Sequence, residues 1–155
     1  MQITRAADYA VRVMVHLAGG TLAQKHPLSE LAAATSVQES FLSKILQRLV
    51  HQGLLVSHRG SGGGFVLNRA PDQISLLDVV EAIEGPTQLN QCVGESGSCK
   101  RKPSCGISPT WERAQASLTQ VLAGISIAQL ADETARLTAG QLGDSADVVR
   151  SFSAN

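Results

Sequence analysis

The sequence predicts a mainly α-helical chain, a winged helix-turn-helix followed by a long C-terminal dimerisation helix. Three observations carry that expectation. Leu28, Leu31 and Ala32 mark one short apolar helix and a second runs from about Gln38, with only the Thr35–Ser36–Val37 turn between them. Two β-capable runs, Leu54–Ser57 and Phe65–Leu67, then flank a glycine-rich tip, which makes a hairpin directly after the helix pair. Finally, Trp111, Ala114, Leu118, Val121 and Ile125 recur at spacings of three, four, three and four, a heptad-like seam.

The composition agrees. A chain of 155 residues is near the usual size of one domain. With 43% hydrophobic but only 3% aromatic residues, its core must be built from Leu, Val, Ile and Ala, which suits helices. The first helix is expected from about Thr4 to Ala18, with Tyr9, Ala10, Val13, Met14 and Leu17 on one face and Arg5, Asp8 and Arg12 on the other. In the helix after the turn, Phe41, Leu42, Ile45, Leu46 and Leu49 face inward and Gly53 is the stop. "ISLLDVVEAIEGP" is punctuated at both ends: Ser75 and Asp78 form a capping box, and Gly85–Pro86 terminate the helix. The long last helix starts with Ser108 as cap and Pro109 behind it, and Gly124 frays or breaks it. "SIAQLADETARL" adds a short helix. The expected divisions are 1–84 for the winged helix-turn-helix, 85–107 for a loop and 108–139 for the C-terminal helices. The polar tail 140–155 is expected to be disordered.

Several function classes drop out. No apolar run approaches the ~18 residues of a membrane span. Asp8 and Arg12 interrupt the apolar stretch of "MQITRAADYAVRVMVHLAGG", so it reads as an amphipathic helix and not a signal peptide; a cytoplasmic chain is expected. Gly60 and Gly62–Gly64 lack the Gly-Lys-Ser/Thr ending of a phosphate loop and lead into a strand. No nucleophile–base pair or metal–histidine motif is present, so no enzyme is expected.

The net charge of zero conceals a basic front. Residues 1–69 hold seven Lys/Arg against three acids, and the remainder holds six against ten. Such asymmetry suits a nucleic-acid binder. The exposed face of the second helix of the pair offers Gln38, Ser40, Ser43, Lys44, Gln47 and Arg48, donors and acceptors that reach base edges or phosphates from a major groove. Arg59 suits a narrow, negative minor groove, and Ser61 lies at the same tip.

All three cysteines, Cys92, Cys99 and Cys105, fall within one polar window, separated by six and five residues. In a cytoplasmic chain an odd set points to metal or redox chemistry rather than disulfides. Thiolates suit iron–sulfur clusters and zinc alike. Lys100, Arg101 and Lys102 beside them favour the thiolate form. The four histidines (16, 26, 51 and 58) are widely scattered, and none is assigned to a metal.

The wing "RGSGGGFVL", the segment "ISLLDVVEAIEG", the cysteine loop and the long helix follow one another in an order that resembles the winged-helix iron–sulfur regulators typified by IscR, NsrR and RirA. The resemblance spans roughly residues 1 to 130. It implies a cytoplasmic homodimer on palindromic double-stranded operator DNA, acting as a repressor. Control would come from a [2Fe-2S] or [4Fe-4S] cluster on Cys92, Cys99 and Cys105 that senses nitric oxide, iron or redox status. Ser108 stands where the cluster regulator has a histidine, and the first gap is one residue longer than the common five. The ligand pattern is nearer the NsrR and RirA type, in which an acidic residue on the partner's first helix completes the site; Asp8 matches that position. The other reading of Asp8 is a surface ion pair with Arg12 or Arg5. Two rival functions remain: a winged-helix regulator with a zinc site or thiol switch, and a metal or electron carrier.

Overall fold

Thr4 is in extended backbone and its hydroxyl accepts from the Ala7 N–H, which starts helix α1 (Arg5–Ala18). The computed structural model of the chain describes residues 3–21, 23–93 and 99–139; the tail 140–155 and part of the expected loop lie outside the described residues. Ala7, Ala10, Val13, Met14 and Leu17 are all buried, the stripe that the 3.6-residue period selects. Helix α2 (Leu28–Thr35) ends at Ser36, which takes the left-handed conformation (φ 55°) and turns the chain sharply into α3 (Glu39–His51). Leu42, Ile45, Leu46 and Leu49 of α3 are buried with Leu31 of α2 against the α1 stripe. Truncating one of these leucines to Ala should cost about 2–5 kcal/mol.

Phe41 departs from the expectation. It is 42% exposed, whereas its neighbour Leu42 is fully buried, because it lies about 90° around α3 from the centre of the buried face of Leu42, Ile45, Leu46 and Leu49. Its ring meets Tyr9 edge-on, with centroids 6.2 Å apart.

Strands β1 (Leu55–His58) and β2 (Gly64–Leu67) pair antiparallel, Leu55 opposite Leu67 and His58 opposite Gly64. Two glycines are required by space. A Cβ on Gly63 would lie 2.4 Å from the His58 carbonyl oxygen, and one on Gly64 would lie 2.6 Å from that of His26. The second closeness exists because His26 and Phe65 exchange both backbone hydrogen bonds, at 3.1 and 2.9 Å. The segment before α2 thereby extends the hairpin by one bridge.

Helix α4 (Leu76–Glu84) carries the expected capping box: Ser75 Oγ accepts from the Asp78 N–H, and the Asp78 carboxylate accepts from the Ser75 N–H. Gly85, with φ 82°, ends it. Helix α5 (Ser108–Ala123) starts one residue earlier than its cap signal suggested. Ile107 is the cap and Ser108 the first helical residue, since the turn from Cys105 already has the Ser108 N–H bonded to the Cys105 carbonyl at 3.1 Å. Gly124 ends α5, which leaves Ile125 outside the helix.

Helix α6 (Ile127–Thr138) opens on a second capping box, Ser126 with Gln129. The starts of α4 and α6 are stitched together, Leu76 N–H to the Ile125 carbonyl and Ile127 N–H to the Ile74 carbonyl, both at 2.8 Å. Ile127 is therefore fully buried in the same core as α1, and α6 packs along α1. The result is the mainly helical winged helix-turn-helix that the sequence predicts, with one two-stranded sheet as its wing. Among the described residues no helix is long and apolar enough to cross a membrane.

Candidate functional site: the reading head and the cysteine loop

Helix α3 buries one side and presents the other. Gln38 caps it without a side-chain hydrogen bond; Ser40, Lys44, Gln47 and Arg48 are exposed and Ser43 is half-buried. Of these, Arg48 is partly committed. Its Nη1 donates to the Ile83 carbonyl at 2.8 Å, holding the end of α4 to the back of α3. A groove of about 480 Å³ runs beside it, lined by Ala6, Phe41, Lys44, Gln47, Arg48 and Ile83. Arg59 and Ser61 are exposed on the wing, with Gly60 and Gly62 in the left-handed region of φ around them. Backbone there has no side chain to hold a partner's backbone away.

The loop is anchored more firmly than its aperiodic sequence suggested. Gln115 of α5 accepts from the Leu89 N–H at 2.8 Å and donates to the Thr87 carbonyl at 2.8 Å. Thr87 N–H in turn donates to the Glu81 carboxylate at 2.8 Å. Past these ties Cys92 is buried, while Cys99 and Cys105 are half-buried; all three are free thiols. A short 3₁₀ turn, Lys102–Ser104, lies between the last two, and Lys102 pairs with Glu112 of α5 at 3.0 Å. The Ser108 Oγ, three residues beyond Cys105, is buried without a hydrogen-bond partner. Three thiols with one orphaned hydroxyl at the loop's end are a donor set that suits an iron–sulfur cluster, whose ligands are spread over two or four irons. Four donors on one zinc would sit roughly 3.8 Å apart. Among the described residues the three thiols form no donor set held within 4.8 Å.

Asp8 is on the exposed side of α1 and pairs with Arg12 at 2.9 Å, both side chains about half exposed. The Arg12 guanidinium also lies 5.9 Å from the centre of the Tyr9 ring. The ion pair anticipated for Asp8 is thus present within the subunit.

Sequence reasoning left one group unassembled. His16, His26 and Glu30 bring their ligand atoms within 4.8 Å of one another, the one such group among the described residues. The spacing of His26 and Glu30, four apart, was a legible signal for a helix entry. His16 arrives only through the packing of α1 on α2.

A tight helix pair, an exposed polar second helix and an adjoining glycine-tipped wing define a class: winged-helix transcription regulators, which bind DNA. Residues 3–133 match Rrf2, described as an iron-dependent transcriptional regulator, and the chain belongs to that family. YffB of Lactococcus lactis, an HTH-type regulator by name, is 36% identical over 144 residues, covering 86% of this chain and 89% of YffB. The HTH-type transcriptional regulator IscR of Cronobacter sakazakii is 28% identical over 130 residues, 84% of this chain and 80% of its own length. Among solved structures, CymR, the global cysteine regulator of B. subtilis, superposes with a TM-score of 0.70 at 26% identity, covering 86% of this chain and 98% of CymR.

Proposed function

We propose that this chain is a cytoplasmic, homodimeric repressor whose operator binding is set by an iron–sulfur cluster. The observation that carries the reading is the anchorage of the cysteine loop: it leaves α4 beside the recognition helix, is tied to α5 through Gln115, and ends as the first turn of α5. Helix α3 would enter the major groove with Gln38, Ser40, Ser43, Lys44 and Arg48, and the wing would bring Arg59 and Ser61 to the minor groove. In α5, Trp111 and Leu118 are only half-buried and Ala114 and Val121 exposed, so a second copy is the natural cover for that seam. The divisions 1–84, 85–107 and 108–139 then correspond to reading head, sensor loop and dimer segment, with α6 returning to brace α1. A two-fold dimer needs palindromic half-sites about one helical turn, ~34 Å, apart or a multiple of it.

Cys92, Cys99 and Cys105 would hold the cluster, [2Fe-2S] or [4Fe-4S], and the partner's Asp8 would complete it. When bound, such a group supplies iron open to attack by nitric oxide or oxidants and to loss when iron is scarce. The chain's own part is to keep Cys92 buried, to set Lys100 and Arg101 beside the thiolates, and to pass any change of loop length to α5. A carboxylate is a harder, weaker iron ligand than thiolate, so an Asp8 ligand leaves the site labile. A second reading makes the same loop a thiol switch or zinc site, and the partial exposure of Cys99 and Cys105 supports the switch. Anaerobic purification tests both: visible absorption with iron and acid-labile sulfide is expected, and is lost on replacing Cys92, Cys99 or Cys105 by Ala. Colourless protein with zinc or no metal would remove the cluster.

A further inference from the structure

Where α1 ends and α2 begins, a groove of about 810 Å³ opens towards the inner face of α6. His26 lines it and is 4% exposed. Its Nδ1 lies 2.6 Å from Oε1 of Glu30, and Nε2 of His16 lies 3.4 Å from the same oxygen. The other His26 nitrogen, Nε2, is buried with no hydrogen-bond partner. An imidazole that gives its one proton to Glu30 leaves a bare lone pair in that buried place; a doubly protonated ring leaves an unsatisfied N–H there. Neither state satisfies both nitrogens of this ring.

We propose that His16, His26 and Glu30 form a site for a divalent first-row transition metal ion, separate from the cysteine loop. The donor set is two imidazoles and one carboxylate, which suits zinc or iron(II) and leaves open positions for water from the groove. Ligand atoms at 2.0–2.2 Å from a tetrahedral ion lie roughly 3.3–3.6 Å apart. The 3.4 Å between His16 and Glu30 already has that spacing, and the 2.6 Å pair needs to widen by several tenths once an ion replaces the shared proton. The carboxyl of Glu30 is held below its ordinary range, chiefly by the hydrogen bond from His26 with a smaller one from His16, so it is an anion ready to ligate.

The second nitrogen of His26 changes role in the same step. An ion on Nδ1 of a neutral His26 requires the ring proton on Nε2, which becomes a donor. The side-chain carbonyl of Gln24, an exposed residue, lies beside Gly20 as that Nε2 does, without being bonded to it. A rotation of Gln24 would supply the outer hydrogen bond through which metal-bound histidines commonly orient themselves. No electron moves, and a neutral ring only exchanges one tautomer for the other.

The placement ties three parts of the reading head. His16 is in the last turn of α1, Glu30 in the first turn of α2, and His26 is backbone-paired to Phe65 of the wing. An ion here would fix the wing's root to both helices.

The test is an anaerobic Co²⁺ titration of the full-length chain. One equivalent with d–d bands and no thiolate charge-transfer band is expected, distinct from any ion taken by the cysteines. His16→Gln and Glu30→Gln, both at exposed positions, should weaken that equivalent by about tenfold or more and leave thiolate-bound metal unchanged. Zn²⁺ should raise the unfolding temperature of the wild-type chain more than that of either variant. Unaltered affinity in both variants, or cobalt bound only with thiolate charge transfer, would overturn the site and leave a hydrogen-bonded trio. Loss of the cluster assignment would show in iron and sulfide content and leave this titration untouched.

Discussion

Arg48 of the recognition helix and Ile83, in the last turn of α4, are joined by a 2.8 Å hydrogen bond from guanidinium to backbone carbonyl. This bond sits where the chain leaves the reading head for the cysteine loop. Arg48→Ala removes a charged donor from a part-buried carbonyl, and a loss of about 1.5 kcal/mol is expected in urea denaturation. A wild-type midpoint would mean that water replaces the guanidinium at no cost.

Among the described residues, the side chains of Lys44 and Arg59 meet no hydrogen-bond or ion-pair partner. Lys44→Ala should reduce the salt slope of operator binding by about one unit if it meets a phosphate, with the fold intact. Arg59→Ala should weaken binding and relax specificity at the position the wing reads. DNA titrations across salt concentrations and operator variants separate the two; unchanged curves would exclude both from the interface.

Asp8→Ala breaks the exposed pair with Arg12 and should cost only ~0.5 kcal/mol. In the proposed dimer it does more: the cluster spectrum shifts or the cluster is lost faster under nitric oxide. Asp8→Cys should give a four-thiolate spectrum. A wild-type spectrum and wild-type nitric-oxide response in Asp8→Ala would leave the ion pair as this residue's whole role.

Gln115→Ala removes both hydrogen bonds that hold residues 87 and 89 to α5. Cys92 is buried while Cys99 and Cys105 are half-buried, so Cys92 should alkylate slowest in the metal-free chain. In the variant its rate should approach theirs, as mass spectrometry of the labelled protein would show. Unchanged protection would place the hold on Cys92 elsewhere.

Acid stability should register Glu30. Its carboxyl is lowered in the folded chain, so the stabilisation is complete above the ordinary carboxylate range and disappears as pH falls through the lowered value. Glu30→Gln should therefore flatten the decline in unfolding midpoint at acid pH. An identical acid limb in both proteins would mean that the histidine contacts persist when the carboxyl is protonated.

The reading head was legible because its signals are local. Helix periodicity, the Ser75–Asp78 box and the glycines of the wing each act within a few residues. Phe41 misled because it stands at the edge of the apolar stripe, a quarter turn from the centre of the face that Leu42, Ile45, Leu46 and Leu49 bury. Ser108 misled because the Cys105 turn takes over the capping role that its side chain normally performs. The return of α6 along α1 depends on the paired starts of α4 and α6, a contact between residues some fifty apart in sequence. His16 joins His26 and Glu30 for the same reason, through packing that no local pattern records.

The hold of Gln115 on Leu89 brings the start of the cysteine segment back to the same helix that its end leads into. Its two fixings, at Gln115 and at Ser108, are seven residues apart along α5, roughly 10 Å. Helix α5 is thus the element that a displacement of Leu89 or Ser108 meets first, and α4 the next, through the bond of Thr87 to Glu81. In the proposed dimer, tightening between these two points would shift α5, and with it the spacing of the two reading heads.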